Sequence, residues 1–340
     1  MGAVCFWAGG RVDQQAGSGR FDALELRRQQ FFTQPRHWLL TGGSGFLGQA
    51  LVHRLLDAEQ QVSVWSRNPA GTERLFGGRV SVFRTLDDLP DTVPLHGIIN
   101  LAGAPIAGGR WSPARQQLLR DSRIALTDTL LAWLSRRTQR PEVLLSGSAI
   151  GFYGVHGDEE LDEQQQGQDI FMSTLCQDWE RSAEAATRLG VRLALLRTGL
   201  VLGNAGGALP AMLKPFHFGI GGRTGSGRQW LSWIHLEDWL GIVETLLATP
   251  EASGPYNLTA PEPVINAEFA RTAGQVLGRP AWLPLPAWPL KLALGEMADL
   301  LLTGQRVLPR RMQSMGYRFR YPALRAALEH LLRDQEPQQP

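Results

Sequence analysis

Short apolar runs alternate with segments whose apolar residues recur every three or four positions. The runs are typical of buried strands, and the segments between them are typical of amphipathic helices. The runs cover residues 38–40, 61–65, 79–83, 97–103, 142–148 and 191–197. Because strands alternate with helices, the pattern predicts an α/β fold with a Rossmann-type, doubly wound parallel sheet and ligands at the carboxyl ends of its strands.

The pattern changes after residue 203, where loops rich in glycine and proline separate short helical segments. Such loops pack poorly in a core but are suited to covering a ligand. We therefore expect a nucleotide-binding domain over residues 37–203, with a later return segment near 255–259. A smaller C-terminal substrate lobe is expected over residues 204–330.

Both ends of the chain lie outside this pattern. Residues 1–36 lack clear periodicity, so we expect a poorly ordered extension there and a short tail at residues 331–340. No apolar run approaches the ~20 residues that span a bilayer. The N-terminus also lacks a basic region followed by an apolar one, so secretion is unsupported. We therefore expect a cytoplasmic protein with no membrane partner.

Composition restricts the classes of function. The 34 basic and 32 acidic residues leave a formal net charge of +2, and the basic residues are scattered, so nothing favours nucleic acid as a partner. Two cysteines, Cys5 and Cys176, exclude a disulfide framework. The histidines are dispersed and no HExxH-like spacing occurs, so we expect no metal. A small-molecule substrate of unknown identity is expected, and an oligomer is compatible with the sequence.

A glycine-rich turn joins the first predicted strand to the helix that follows it. In TGGSGFLG (41–48) the glycines stand three residues apart. Gly42 permits the tight turn, Gly45 lets the backbone approach a pyrophosphate, and Gly48 lets helix and strand pack closely. A plain structural turn is the alternative. The predicted cofactor contacts here are Gly42, Gly43, Ser44, Gly45, Phe46, Leu47 and Gly48.

The end of the second predicted strand distinguishes between the two nicotinamide dinucleotides. A carboxylate there would bond the 2′-hydroxyl of NAD, whereas Ser66 and Arg67 stand at this place. Arg67 offers a planar set of donors to a 2′-phosphate, and no acidic residue is present to repel it. The residues therefore predict NADP as the cofactor. A solvated loop arginine is the alternative interpretation of Arg67.

Motifs spread along the chain are similar to those of one family. They are TGGSGFLG (41–48), SRNP (66–69), INLAG (99–103), RW (110–111), SR (122–123), SGSAIGFYG (146–154), LRTGLVLG (196–203), GGRTGSGRQWLSWIHLED (221–238) and LLTGQRVLPRRM (301–312). From residue 37 to about residue 330, the chain resembles the atypical short-chain dehydrogenase/reductase family described as nucleotide-sugar epimerase-like, the YfcH type. The similarity includes the family's C-terminal segment of unknown function.

The resemblance implies an NADP-binding domain of the extended short-chain dehydrogenase kind. In such folds small residues after the fourth strand pack against the adenosine side of the cofactor. A second basic contact would come from the following helix, where Arg123 stands, although an ordinary surface arginine is equally compatible. The implied further contacts are Leu101, Ala102, Gly103, Arg123, Ser146 and Leu200.

The resemblance also implies a catalytic set, which is only partly present. The family pattern has a serine after the fifth strand and, about 25 residues on, a tyrosine with a lysine four positions later. Ser148 matches the serine. Residues 169–183 contain neither tyrosine nor lysine, and Met172 and Cys176 occupy the two slots if Glu180 aligns with the acidic residue that follows them. A reaction would need another proton donor.

Two other residues are candidates for that role. Tyr153 could present its hydroxyl to the nicotinamide, or it could pack in its turn with the hydroxyl bonded. His235 could act on the substrate, or it could link the two lobes, while Asp238 is predicted to cap a helix. Leu231 stands where sugar-nucleotide epimerases carry the arginine that grips the substrate diphosphate, which argues against a nucleotide sugar. Arg228, three residues away, is the alternative source of that contact.

Two functions are therefore open. The first is an NADP-dependent oxidoreductase or epimerase that acts on a small polar or sugar-like substrate through Ser148 and either Tyr153 or His235. The second is a non-catalytic NADP(H)-binding sensor or scaffold, in line with the cell-division link of some relatives. The missing Tyr–Lys pair favours the second function. Ser148 and the aromatic residues around His235 favour the first.

Overall fold

The computed structural model describes residues 14–107 and 110–333. The strands are β1 (His37–Thr41), β2 (Gln61–Trp65), β3 (Ser81–Phe83), β4 (Gly97–Asn100), β5 (Val143–Ala149), β6 (Glu160–Leu161), β7 (Arg192–Thr198), β8 (Leu200–Leu202), β9 (Trp230–Leu231), β10 (Trp233–His235), β11 (Gly254–Leu258), β12 (Val264–Ile265) and β13 (Arg306–Val307). The α-helices are α1 (Gln14–Phe31), α2 (Phe46–Asp57), α3 (Pro69–Leu75), α4 (Pro113–Arg120), α5 (Leu126–Arg136), α6 (Phe171–Ala183), α7 (Ala185–Arg188), α8 (Leu209–His217), α9 (Leu236–Ala248), α10 (Asn266–Leu277), α11 (Ala287–Leu294), α12 (Asp299–Leu302), α13 (Arg310–Ser314) and α14 (Leu324–Arg333).

Seven parallel strands form the central sheet, in the order β11-β7-β5-β4-β1-β2-β3. The chain enters at β1 and winds outward first to one edge and then to the other. This topology confirms the predicted Rossmann-type, doubly wound sheet. The winding reverses between β1 and β4, and ligands of such sheets bind in the crevice at the carboxyl ends of the strands there.

Both faces of the sheet are covered by helices. Trp38 and Leu40 of β1 pack in one core with residues of α2 and α9, whereas Leu39 between them packs in a second core with residues of α5. Successive side chains of a strand point to opposite faces, so a strand buried on both sides is apolar throughout. This is why the strands were visible in the sequence as uninterrupted apolar runs.

The N-terminal segment differs from the poorly ordered extension expected over residues 1–36. Within the described part, α1 lies against α9, and the rings of Phe31 and Phe32 pack 6.0 and 6.3 Å from that of Trp38. The segment lacks an apolar stripe, so its helix could not be recognised from periodicity. Residues 1–13 lie outside the described residues.

The C-terminal lobe has its own core, in which α8, α10 and α14 pack around Trp233 of β10. Three small two-stranded sheets, β8 with β10, β9 with β12 and β6 with β13, accompany it. The chain returns to the central sheet at β11, which pairs with β7 where the return segment near 255–259 was expected. Before it, α9 packs on the sheet through Trp239. The expected tail at residues 331–340 begins as the last turn of α14, and residues 334–340 lie outside the described residues.

Within residues 14–107 and 110–333, no helix combines the length and apolar character needed to cross a membrane.

Candidate active site

The glycine turn between β1 and α2 is packed against backbone on two sides. Gly42 has a φ of +69°, and a Cβ there would lie 2.7 Å from the carbonyl carbon of Leu101. A Cβ on Gly48 would lie 2.7 Å from the Cα of Gly43. Both positions therefore require glycine. Gly42 allows the turn to pack against the backbone of Leu101, and Gly48 allows α2 to pack against the turn. A Cβ on Gly45 would lie 3.3 Å from the Gly42 carbonyl oxygen, which is a tight contact but not an overlap.

The N-terminus of α2 is open to a ligand. Gly45 is the N-cap, which leaves the helix without a side-chain cap, and Ser44 and Gly45 are exposed. The amide groups of a first helical turn have no partner within the helix, and they carry a partial positive charge. Phe46 and Leu47, which open the helix, are half-buried. The turn thus combines close backbone approach with unpaired donors, as an anion site requires.

The loop after β4 is fixed beside this turn by Thr41. Its hydroxyl donates to the Asn100 side chain at 2.6 Å and accepts from the Ala102 amide at 3.1 Å. Leu101, Ala102 and Gly103 therefore border the same crevice as the glycines. The crevice lies at the carboxyl ends of β1 and β4, and the contact of these three residues with a cofactor stays a prediction.

Ser66 and Arg67 follow β2, whose last residue is in register with Thr41. The Ser66 hydroxyl is used locally, since it lies 2.7 Å from the Thr72 hydroxyl and accepts from the Asn68 amide. Arg67 is exposed and, among the described residues, has no hydrogen bond or ion pair. Its guanidinium therefore follows the strand next to β1 and is unpaired, and the contact to a 2′-phosphate stays a prediction.

Arg123 differs from both interpretations offered by the sequence. It lies in a π-helical turn, Asp121–Ala125, that joins α4 to α5, and its side chain is buried. Its guanidinium donates to the carbonyls of Leu119 at 3.2 Å and Ala104 at 3.0 Å. Arg123 is therefore neither a surface arginine nor free to bind the cofactor. Its bond to the Ala104 carbonyl holds the loop after β4 in place.

The last two implied cofactor contacts have different environments. Ser146 is fully buried between β4 and β7, and its hydroxyl has no partner in the described part of the chain. Its geometry therefore does not support a cofactor contact. Leu200 is half-buried at the start of β8. The loop after β8 covers the start of α2, since a Cβ on Gly203 would lie 2.7 Å from the Phe46 ring.

Ser148 at the end of β5 is part of a buried network. Its hydroxyl donates to the Glu180 carboxylate at 2.6 Å, and Arg197 donates to the same carboxylate through two nitrogens, each at 2.8 Å. The three residues are at most 6% exposed. The Ser148 proton is therefore directed at the Glu180 carboxylate.

Tyr153 belongs to the same network. It is fully buried, donates to the Asn257 side chain at 2.7 Å and accepts from Arg197 at 3.1 Å. Burial raises the pKa of Tyr153 to about 12. The packed tyrosine is the interpretation that this geometry supports. Burial likewise raises the pKa of Cys176 to about 12, so the residue in the lysine slot is a neutral thiol.

His235 is occupied in the C-terminal lobe. Its Nδ1 caps α9 by accepting from the Glu237 amide at 3.0 Å, and its Nε2 lies 3.2 Å from Nδ1 of His330. The ring stacks on Tyr321 with centroids 3.9 Å apart. Burial, followed by the charge of His330, lowers the pKa of His235 to about 4. These contacts fit the linking role and keep His235 neutral.

The predicted helix cap at Asp238 is wrong, because His235 takes that position. Asp238 is fully buried, and its carboxylate accepts from the amides of Arg320 at 2.7 Å and Tyr321 at 2.9 Å. It fastens the C-terminal segment to α9. The contact joins residues 82 positions apart, so the local sequence around residue 320 does not predict it.

A pocket of about 600 Å³ opens beside the turn after β5. Gly151 and Met172 line it on one side, and Trp111, Asp299 and Gln305 line it on others. Met172, which occupies the position of the catalytic tyrosine in the family pattern, lines this pocket. Sequence reasoning did not assemble this pocket, although Trp111 and the segment around Gln305 lie in motifs shared with the family.

Metal ligands are not concentrated anywhere in the described ranges, where no three His, Cys, Asp or Glu side chains are grouped to hold an ion.

Family models match two parts of the chain. Residues 38–259 match the NAD dependent epimerase/dehydratase family, and residues 285–331 match a domain of unknown function, DUF1731. The first match covers the central sheet and the glycine turn. The second begins in the segment before α11 and ends in α14.

Named relatives cover nearly the whole chain. The chloroplastic SDR39U1 homolog of Arabidopsis thaliana, an epimerase family protein, is 36% identical over 307 residues, which are 86% of this chain and 86% of the relative. Epimerase family protein YfhF of Bacillus subtilis is 37% identical over 299 residues, 87% of this chain and 98% of the relative. The crystal structure of human epimerase family protein SDR39U1 (isoform 2) with NADPH is 35% identical, with a TM-score of 0.79, and covers 88% of this chain and 99% of the human one.

Proposed function

The chain belongs to the NAD-dependent epimerase/dehydratase family, and from this premise we propose that it binds NADP(H) and acts as an oxidoreductase on a small molecule. The proposed substrate site is the pocket beside Met172. The observation that carries the cofactor assignment is the pairing of the open turn at Gly45 with the unpaired guanidinium of Arg67. The NADPH bound by the human relative supports the same assignment.

The residues present fit NADP(H) in three respects. The amides at the start of α2 would bind the bridging phosphates, because Gly42 and Gly48 bring the backbone close without a side chain in between. Arg67 would pair with the 2′-phosphate. Leu101 and Ala102, held by Thr41, would line the adenosine side. When bound, the nicotinamide would supply or accept a hydride.

Proton transfer in this chain cannot follow the usual Tyr–Lys route. The four tyrosines are Tyr153, Tyr256, Tyr317 and Tyr321, and none is followed four positions later by a lysine. Tyr153 is the one closest to β5, and its hydroxyl is buried with two partners and a pKa of about 12. The cofactor would therefore exchange the hydride, and the proton would come from the substrate itself or from solvent.

A non-catalytic NADP(H)-binding sensor is the second candidate. The observation in its favour is that Ser148, Tyr153 and His235 are all buried and hydrogen-bonded within the protein. The pocket favours the enzyme, because it is a ligand-sized cavity lined by Met172, which occupies the tyrosine position of the family's catalytic pattern.

Calorimetric titration of NADPH and NADH tests the cofactor assignment. Arg67→Ala should weaken NADPH binding by about 10- to 100-fold and leave NADH binding nearly unchanged, because one charge-assisted bond to phosphate is lost. Arg74→Ala is the matched control, since Arg74 is also exposed but lies on α3 and donates to the Ala70 carbonyl. Equal weakening of both dinucleotides, or no binding by the wild-type protein, would remove the NADP assignment.

Turnover separates the two candidates. With NADPH bound, an enzyme should show substrate-dependent loss of nicotinamide absorbance across a panel of carbonyl compounds. A flat response across the panel, together with a partner protein that is recovered only in the presence of NADPH, would favour the sensor.

A further inference from the structure

The pocket beside Met172 has an apolar wall that is left open to solvent. Val155, Ile170 and Leu300 line it and are 44%, 39% and 41% exposed. Trp111 and Phe171 form an aromatic corner, with ring centroids 5.5 Å apart and planes inclined at 60°. Exposed apolar side chains gathered in one concavity indicate a ligand that removes them from water.

The polar groups of the pocket are few, and only one of them is charged. Amides are offered by Gln116 and Gln305, and the sole ionisable lining residue in the described ranges is Asp299. No hydrogen bond or ion pair is made by the Asp299 side chain within those ranges. Because Asp299 is exposed at the pocket rim, its carboxylate is available to a ligand.

Cations that could bind phosphate do not face this pocket. No lysine, arginine or histidine is among its described lining residues. The guanidinium of Arg120 lies 5.9 Å from the Phe171 ring, and it is paired with Asp178 at 2.6 Å. A nucleotide diphosphate needs several cationic or amide donors at its oxygens, and a free carboxylate would repel it.

On the basis of the proposed function, we propose that the substrate is a flat, apolar carbonyl compound, neutral or cationic, or the corresponding alcohol, and not a nucleotide sugar. Its ring would lie in the corner of Trp111 and Phe171, and a cationic substituent would lie toward Asp299. In the reducing direction, the carbonyl carbon accepts a hydride from NADPH and the oxygen accepts a proton from water. The products are an alcohol, NADP⁺ and the hydroxide left by the water, so electrons, atoms and charge balance.

Three benzaldehydes of one shape test this substrate class through binding alone. The para substituents are tert-butyl, trimethylammonio and sulfonate, which are similar in size but neutral, cationic and anionic. Each is titrated by calorimetry into wild-type protein saturated with NADP⁺, and UDP-glucose is titrated in the same way. The neutral and cationic aldehydes should bind at least about tenfold more tightly than the sulfonate and UDP-glucose.

Variants of Asp299 test whether its carboxylate determines the charge preference of the pocket. In the wild type, the trimethylammonio compound should bind about three- to fivefold more tightly than the tert-butyl compound. Asp299→Asn should remove this preference and leave the affinity for the tert-butyl compound unchanged. Asp299→Lys should reverse the order of the cationic and anionic compounds. Asp57→Asn, an exposed carboxylate on α2 away from the pocket, is the matched control and should change neither.

The outcomes distinguish the substrate class from the cofactor assignment. NADPH binding, followed by nicotinamide fluorescence, is measured for the wild-type protein and for each variant. Loss of NADPH binding in the wild type would contradict the proposed function. Retained NADPH binding combined with preference for the sulfonate or UDP-glucose, or with no aldehyde binding at all, would overturn the substrate class alone.

Discussion

Ser148 and Glu180 are joined by a short hydrogen bond, with 2.6 Å between the hydroxyl and the carboxylate oxygen. The same carboxylate pairs with Arg197 through two nitrogens. The residue that most resembles a catalytic group of the family is thus bound to an ion pair inside the protein. Its proton serves the internal structure, and the chemistry proposed for the pocket does not depend on it.

We expect Glu180→Gln to lower the free energy of unfolding by about 3–5 kcal/mol, because it leaves the buried Arg197 without its counter-charge. Urea denaturation measures the loss. The double variant Glu180→Leu/Arg197→Met should lose less than the single variant, since no charge is then left unpaired. A single variant within about 1 kcal/mol of wild type would contradict a structural ion pair at this place.

We expect Gly48→Ala to weaken NADPH binding and to destabilise the fold by about 1–3 kcal/mol. The added methyl group would meet the backbone of the turn at Gly43 within 2.7 Å, so the turn must move away from α2. Calorimetry with NADPH and thermal unfolding measure the two effects. Gly157→Ala is the control, because no atom lies within 4 Å of a Cβ built there. Unchanged NADPH affinity in Gly48→Ala would place the phosphates elsewhere.

We expect the stability of the protein to depend on His235 at mildly acidic pH. Its pKa is lowered from 6.5 to about 4, so above pH 6.5 the histidine is neutral in both the folded and unfolded states. As the pH falls from 6.5 toward 4, the unfolded chain binds a proton that the folded protein does not, and stability is lost. The loss attributable to this residue is of the order of 2–3 kcal/mol.

The variant His235→Asn isolates this effect. Asparagine can still accept from the Glu237 amide as a helix cap, but it does not titrate. Measured by urea unfolding between pH 7 and pH 4, the variant should lose less stability than wild type. Parallel pH profiles for the two proteins would show that His235 binds its proton equally in the folded and unfolded states.

The sequence by itself determined the features that depend on neighbouring residues. Buried parallel strands are apolar at successive positions, so β1, β2 and β4 were recognisable locally, and the glycines at 42 and 48 marked a turn that admits no side chain. Arg67 was predicted as a cofactor contact from its place after β2, because strand ends in this sheet share one edge. The N-terminal helix α1 was missed, because its stabilising contacts come from α9 and β1 and not from its own pattern.

Only the tertiary structure decided what the polar residues do. Tyr153 meets Asn257 across 104 positions, and Ser148 meets Glu180 across 32, so their hydrogen-bond partners could not be read from spacing. The pocket likewise joins Trp111 and Met172 to Asp299, which lies far along the chain. The physical reason is that a buried hydroxyl or charge must find a partner wherever the fold brings one close, and the distance along the chain does not limit that choice.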